Sequence, residues 1–419
     1  MGSLGLLEQG LWQALRQDGA RLLEQLLNDP TLPVPDAQPQ PGEAPYGRRG
    51  VVIPTVLGLI AVRRTYLYDE TRQQGRFPLD RALRLVDGYS PTVAQWMCRA
   101  AACAGSYTAA QEDLRIYAGL EIDARQIQRL VERMGPRLTQ WREHQPAAFN
   151  PLAGDIFCVG TDGTGAPMRP KELRGRKGKH PHQKARTREV KVGTIFTHRT
   201  PKAGERPMRD HDATSYIADI VTATEFGAQL RQEAIRRGLA YARTVVFLGD
   251  GARWVWNLAR INFPTAVCIL DFYHATEHLT ALTQALYGEG TAKAKQRFRQ
   301  WRKALRQNKI DTVIDQAKED LSLPGTARRL ARKQIAYFTR NRSRMQYLTY
   351  RRAGYFIGSG VVEAGCKSIV GQRLKQSGMR WSVPGARHLL AVRCAVKSGW
   401  FDTFWQHYHT APLEKMLAA

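Results

Sequence analysis

IFCVGTDG at residues 156–163 and TVVFLGD at residues 244–250 decide how this chain is read, because each is a short apolar run that reaches an aspartate beside glycine. Alternation of period two puts Ile156, Cys158, Gly160 and Asp162 on one face of a strand that ends in a glycine turn. TVVFLGD is apolar throughout and suits a central strand covered on both faces. An ionised carboxylate at the end of such a strand is costly to dehydrate, so a metal ion, a base or a hydrogen-bonded cap is expected beside it. Taken singly, Asp162 and Asp250 are better explained as turn formers or helix caps, since Asp-Gly is a common turn pair. A third carboxylate, Glu363 in YFIGSGVVEAGCK (355–367), opens a helix whose apolar face is Val362, Cys366 and Ile369. Alone it is a favourable acid in a first helical turn. Three carboxylates converging from distant positions suit a pair of divalent cations, because Mg²⁺ or Mn²⁺ prefers anionic oxygen and leaves positions open for phosphate and water.

Working outward, VGTIFTH (192–198) is the return strand of a hairpin begun by IFCVGTDG. Between them, residues 169–191 hold ten Lys or Arg and two acids. This stretch is expected to be a flexible loop whose Arg174, Arg176, Lys177 and Lys179 track phosphates, although a merely solvated loop has the same composition. A helix is expected near 215–238, and TAVCILD (265–271) adds another strand. A hairpin followed by βαβα order predicts an α/β fold, a mixed sheet covered by helices. Residues 151–275 form its first part, 276–353 an all-α insertion broken at SLPG (322–325), and 354–419 the closing helices and tail.

Toward the N-terminus, leucines at 4, 7, 11, 15, 22, 26 and 27 line one face of a packing or dimerisation helix, and the Pro-rich residues 28–47 read as a linker. Residues 48–90 contain a hairpin pattern, VVIPTVLGLIAVRRTYLYD. Residues 91–150 carry a helix-turn-helix pattern: Ala110, Leu114 and Tyr117 line a first helix, Gly119 permits the turn, and Ile127, Leu130, Val131 and Met134 line a second. Arg125, Gln128, Arg129 and Glu132 occupy the opposite face of the second helix. Such side chains suit phosphate positioning and base-edge contacts in a major groove, and equally a solvated helical hairpin.

The 419 residues hold 63 Lys or Arg against 37 Asp or Glu, a formal charge of +26 that attracts polyanions. No run reaches the roughly 18 apolar residues of a membrane span, and the N-terminus lacks the pattern of a signal peptide, so a cytoplasmic protein is expected. Six scattered cysteines without a CxxC pair predict buried, reduced thiols. HATEH (274–278) matches the His-x-x-Glu-His pattern of zinc peptidases, in which His274 and His278 would hold the metal. Five-residue patterns of this kind arise often by chance.

GTDGTG (160–165), FLGDGARWVWN (247–257), DFYHATEHL (271–279) and GSGVVEAGCKSIVGQRLKQSGMRW (358–381), in this order, resemble the DDE transposases of bacterial insertion sequences, specifically the IS-Kra type. The resemblance covers about residues 155–400 and implies a catalytic core like ribonuclease H. It implies that Asp162, Asp250 and Glu363 bind two Mg²⁺ ions, with Mn²⁺ as substitute, and that Asp271 and His274 form the Asp-x-x-His signature following the second catalytic aspartate. Trp381, closing the GMRW motif, is then either a core aromatic or a platform for an unpaired base. The implied activity is cleavage and strand transfer at terminal inverted repeats of double-stranded DNA, with target DNA as second substrate and a homodimer or larger homo-oligomer pairing two ends. A domesticated, non-cutting DNA-binding protein is the alternative, and the intact triad speaks against it. The family's N-terminal half often holds a cysteine zinc ribbon. Residues 65–80 contain no cysteine, so a hairpin there must be held by packing alone.

Overall fold

The computed structural model describes residues 3–146, 156–176, 178, 184–199, 207–210, 213–321 and 324–412. The chain divides into two compact units, Met1–Trp141 with Trp400–Ala419, and Arg142–Gly399.

In the first unit, α1 (Leu4–Asn28) rests on the sheet with one side, which is only partly buried. Its Ala20, Leu23 and Leu27 pack with Ile53, Ile60, Val62 and Leu79, while Leu4, Leu7, Leu11, Leu15 and Leu22 remain exposed. β1 (Glu43–Thr55) and β2 (Gly58–Asp69) form the expected hairpin, and β3 (Gln74–Arg76) extends it to three antiparallel strands. The hairpin starts inside the expected linker. Glu43 pairs with Asp69 across the ladder and its carboxylate meets Arg76 at 2.7 Å, so residues 43–47 are drawn into the sheet. After α2 (Pro78–Ala82) and α3 (Pro91–Cys103), α4 (Tyr107–Ala118) ends at Gly119, whose φ of +60° is the left-handed conformation that glycine adopts without a Cβ clash. α5 (Ala124–Glu143) buries Ile127, Leu130, Val131 and Met134 as the spacing predicts. The closing helix, Phe401–Thr410, packs in this unit through Phe404 and Trp405 rather than with the segment that precedes it, because Phe404 meets Trp141 edge-on at 5.5 Å.

The second unit is built on a five-stranded sheet. Its strands are β4 (Ile156–Pro167), β5 (Thr187–His198), β6 (Ser215–Asp219), β7 (Thr244–Gly249) and β8 (Val267–Leu270), in the order β6-β5-β4-β7-β8. β4, β5 and β6 are antiparallel neighbours, whereas β4–β7 and β7–β8 are parallel, so the sheet is mixed as expected. Three local expectations need correction. β4 does not turn at its glycines but runs on to Pro167, paired with β5 along its whole length. Residues 187–191 therefore belong to a strand instead of the basic loop. Residues 215–219 are strand, not helix; α6 (Ala223–Arg236) starts only after Thr222, whose hydroxyl and Glu225 form a reciprocal capping box.

α7 (Arg253–Asn262) links β7 to β8, and helices α8 (Phe272–Tyr287), α9 (Ala292–Arg306), α10 (Ile310–Glu319), α11 (Gly325–Asn341) and α12 (Tyr347–Arg352) form the all-α insertion. The helix expected at Glu363 is not continuous. α13 (Gly360–Gly365) passes through a π-helical turn (Cys366–Gly371) into α14 (Gln372–Leu374), and α15 (Val383–Lys397) follows. The buried Arg393 of α15 donates to the carbonyls of Ser368 at 3.0 Å and Ile369 at 2.8 Å, satisfying groups that the wider turn presents. One apolar cluster, including Phe157, Phe196, Phe226, Leu248, Ile269 and Phe338, joins sheet and helices. No helix among the described residues is long and apolar enough to cross a membrane. All six cysteines are free; Cys98, Cys158 and Cys394 are buried, but Cys103 at the end of α3 is exposed, contrary to expectation.

A candidate carboxylate site at the ends of three parallel strands

Register puts three aspartates at one level of the sheet. Gly160 of β4 pairs with Leu248 of β7, an offset of 88, and Gly249 pairs with Leu270 of β8, an offset of 21. Carried one or two residues further, the same offsets align Asp162 with Asp250 and Asp250 with Asp271. Neighbouring strands lie about 4.8 Å apart, so these side chains form a row at the carboxyl ends of parallel strands, where open α/β sheets bind ligands. Asp162 is interior to β4, but it stands just past the last residue paired with β7.

Glu363 joins this row because Gly160 lets α13 approach. A Cβ on Gly160 would lie 2.3 Å from Val362 Cγ2, so only the missing side chain allows the helix to rest on β4. Asp162 shares that face, and Cys366 of the π turn places its Sγ 3.6 Å from Asp162 Oδ2. Burial first, and then the Asp162 charge, push the Cys366 thiol up, so it stays protonated as a donor. Glu363 lies three residues earlier on the same helical stretch.

Asp271, His274 and Glu363 bring one potential ligand atom each within 4.8 Å of one another. The hydrogen bonds nevertheless assign different tasks to the acids. A carboxylate has about four lone-pair positions. Asp271, fully buried, fills them: Oδ1 accepts from the backbone N–H of Tyr273 at 2.5 Å and of His274 at 2.9 Å, and Oδ2 accepts from both N–H and hydroxyl of Ser359. It caps α8 and anchors the residue that precedes α13. Burial pushes its carboxyl up, yet His274 and Ser359 outweigh this and hold it below its ordinary range. Among the described residues Asp162 accepts only from Gly163 N at 2.6 Å and from Cys366, and Asp250 from Ala252 N at 2.9 Å. Glu363 accepts no hydrogen bond among the described residues. Among the described residues the carboxylates with oxygen to spare are thus Asp162, Asp250 and Glu363, oxygen donors of the kind hard divalent cations take, although the group whose ligand atoms all lie within 4.8 Å of one another joins Glu363 to Asp271 and His274 rather than to the two aspartates. Burial raises the Asp162 carboxyl, and the Asp250 charge raises it further, a repulsion that a cation between them would relieve.

His274 borders the row. Its buried Nδ1 has no hydrogen-bond partner among the described residues and stands 3.8 Å from Asp271 Oδ1, beyond hydrogen-bond range, so their attraction is one between charges. The charge of Asp271 carries the imidazole up to about 9 against burial, with help from Glu277 and Asp250. In the metal-free protein this stabilisation is complete below about 6.5, the unfolded value, and is lost as pH rises through about 9. The melting temperature of a His274→Asn variant is therefore expected to fall less between these limits than that of the parent, measured in chelator. Parallel curves would show that the charge is not held.

His278 faces elsewhere. Its Nδ1 meets Gln334 Oε1 at 2.6 Å and its ring stacks on Tyr337 at 3.6 Å. Tyr337 in turn donates to the carbonyl of Asp250 at 2.9 Å, and its ring lies where a Cβ on Gly251 would be. The histidine supports the Asp250 turn through packing. Trp381 is a core residue rather than a stacking platform: it is 9% exposed and its indole N–H donates to Leu374 O at 3.0 Å.

Of the basic residues expected to contact DNA, Arg125 and Arg129 are exposed on α5, and Gln128 is half-exposed with its amide donating to Glu132 at 2.8 Å. Arg174 and Arg176 are exposed beyond β4; Lys177 and Lys179 lie outside the described residues. Sequence reasoning passed over the charge of the insertion, where residues 276–353 hold 18 Lys or Arg and six acids. A charge count per segment would have found it. It also passed over Cys366 as a neighbour of Asp162, for which the sequence holds no signal. No curated protein matches the chain. Residues 3–406 match the uncharacterised protein family UPF0236, and the chain belongs to that family.

Proposed function

We propose that the protein is a DDE transposase of the IS-Kra type with a ribonuclease H-like core, cleaving and joining DNA at terminal inverted repeats. The observation that carries this reading is the row of aspartates along β4, β7 and β8, in which Asp162 and Asp250 keep unfilled oxygens among the described residues, with α13, the helix of Glu363, resting on β4 at Gly160. Two Mg²⁺ ions, when bound, supply activation of the attacking hydroxyl and neutralisation of the leaving oxygen. Asp162, Asp250 and Glu363 would hold them. Asp271 does not touch the reacting atoms; as a positioning residue it fixes Ser359 and the start of α8, and His274 presents a positive edge toward incoming phosphate oxygen.

Charge supports DNA as the substrate, since the chain carries +26 and the insertion contributes a large share. α4 and α5, joined through Gly119, are suited to a helix-turn-helix contact, with Arg125, Gln128 and Arg129 toward the groove. The exposed leucines of α1 support pairing of two protomers. The test is incubation of the full chain with duplexes that carry the borders of its own DNA element. Mg²⁺-dependent breaks at those borders, absent in chelator, are expected. His278→Ala is expected to retain cleavage within about tenfold, since that ring acts through packing worth roughly 1 kcal/mol. Uncut borders, or a zinc-dependent hydrolysis of peptides lost in His278→Ala, would overturn the reading.

A further inference from the structure

We propose that a basic cleft beyond the Pro167 end of β4 is a second DNA contact, one that grips the duplex backbone several phosphates away from the carboxylate row. The inference rests on the function proposed above and adds a place and a register to it. The cleft encloses about 840 Å³, and five cations line it, Arg174, Arg176, Lys184, Arg186 and Arg380, with no acid among the lining residues. Among the described residues none of the five pairs with a carboxylate. Its two walls are strapped by backbone: Trp381 N donates to Pro167 O at 3.1 Å, Arg169 N to Trp381 O at 2.8 Å and Met168 N to Arg186 O at 3.2 Å. The cations therefore stand on a frame already built. Neighbouring Arg188 feels their crowding, since burial and then the Arg176 charge pull its guanidinium below the ordinary value, with Glu172 opposing.

Both walls are continuations of site elements. β4 carries Asp162 and then runs into the cleft at Pro167; the stretch that begins with Glu363 returns to it at Gly378–Arg380. Five residues of strand separate Asp162 from Pro167, a rise of about 17 Å. B-form DNA presents a phosphate about every 3.4 Å along each strand, so a backbone crossing the acids would reach the cleft roughly five phosphates later. Lys375, bonded to Thr164 Oγ1 at 2.5 Å, stands along that path.

The test measures binding of the full-length protein to a labelled mixed-sequence duplex of about 20 base pairs as salt rises between roughly 50 and 200 mM. Arg186→Gln with Arg380→Gln is expected to flatten the slope of log K against log salt by about 1.8, at about 0.9 per phosphate contact. Arg186→Lys with Arg380→Lys keeps the charges and is expected to restore the parental slope. Arg243→Gln with Arg260→Gln, exposed before β7 and near the end of α7, removes equal charge away from the cleft and should change the slope far less. An unchanged slope in the first variant, or an equal loss in the Arg243 and Arg260 variant, would overturn the proposal. An RNA duplex bound as tightly, with the same cleft dependence, would overturn the assignment to DNA. Cleavage by the unsubstituted chain separates the two readings: cutting without cleft dependence sinks the cleft alone, and cleft-dependent binding without metal-dependent cutting sinks the catalytic reading alone.

Discussion

Asp250→Asn is expected to lower Mg²⁺-dependent cleavage by about 10³-fold or more, with duplex binding kept within about threefold. The size follows from losing an anionic ligand: several kcal/mol of charge stabilisation depend on the cation, and each 1.36 kcal/mol is a factor of ten. The selectivity follows from the turn. Asp250 Oδ1 accepts from Ala252 N at 2.9 Å, and an asparagine oxygen can accept the same bond, so the entry to α7 should survive. Cations of the insertion and of α5 are untouched. A gel assay for cleavage beside anisotropy for binding decides the matter; an asparagine variant that cuts at the parental rate removes Asp250 from the chemistry.

Gly160→Ala is expected to damage the same site without altering any charged group. The added Cβ would stand 2.3 Å from Val362 Cγ2, and β4 is held on both sides by β5 and β7, so α13 must move. Overpacking of this kind costs about 1–3 kcal/mol. For a unit of this size that is a fall of roughly 2–4 °C in melting temperature per kcal/mol. Displacing Glu363 should also weaken divalent cation binding by about tenfold or more, since site geometry tolerates errors of only about 0.5 Å. Val362→Ala removes the atom that collides, so the double variant should regain cation affinity even where stability stays low. Calorimetric titration with Mn²⁺ provides the readout. Wild-type affinity in Gly160→Ala, or no recovery in the double variant, would show that the helix does not depend on this contact.

The acids of the site were legible because charge inside apolar runs such as TVVFLGD is rare and has few explanations. The parallel strands, too, announced themselves by length and apolar content. Glycine misled the reading of β4. Gly160, Gly163 and Gly165 look like turn residues, but none adopts a positive φ, and each serves by lacking a side chain; a Cβ on Gly163 would stand 2.4 Å from Glu189 Oε1. Sequence does not distinguish a glycine needed for conformation from one needed for space. β6 was missed because five residues beside a strong helix cap give too little periodicity. The saturation of Asp271 was out of reach for another reason: half of its partners come from Ser359, 88 residues away.

The placement of Glu363 has a consequence during synthesis. It follows Asp162 by 201 residues, so at about 5–20 residues per second a ribosome spends about 10–40 s between the two. Throughout that interval the emerging polypeptide already exposes the arginines of α5 and then those of the insertion, while its acids remain one short. A chain released early, before Gly360, would carry those arginines but lack the last acid. Such truncated products are expected to behave as competitors of the complete protein, occupying the same polyanion without altering it.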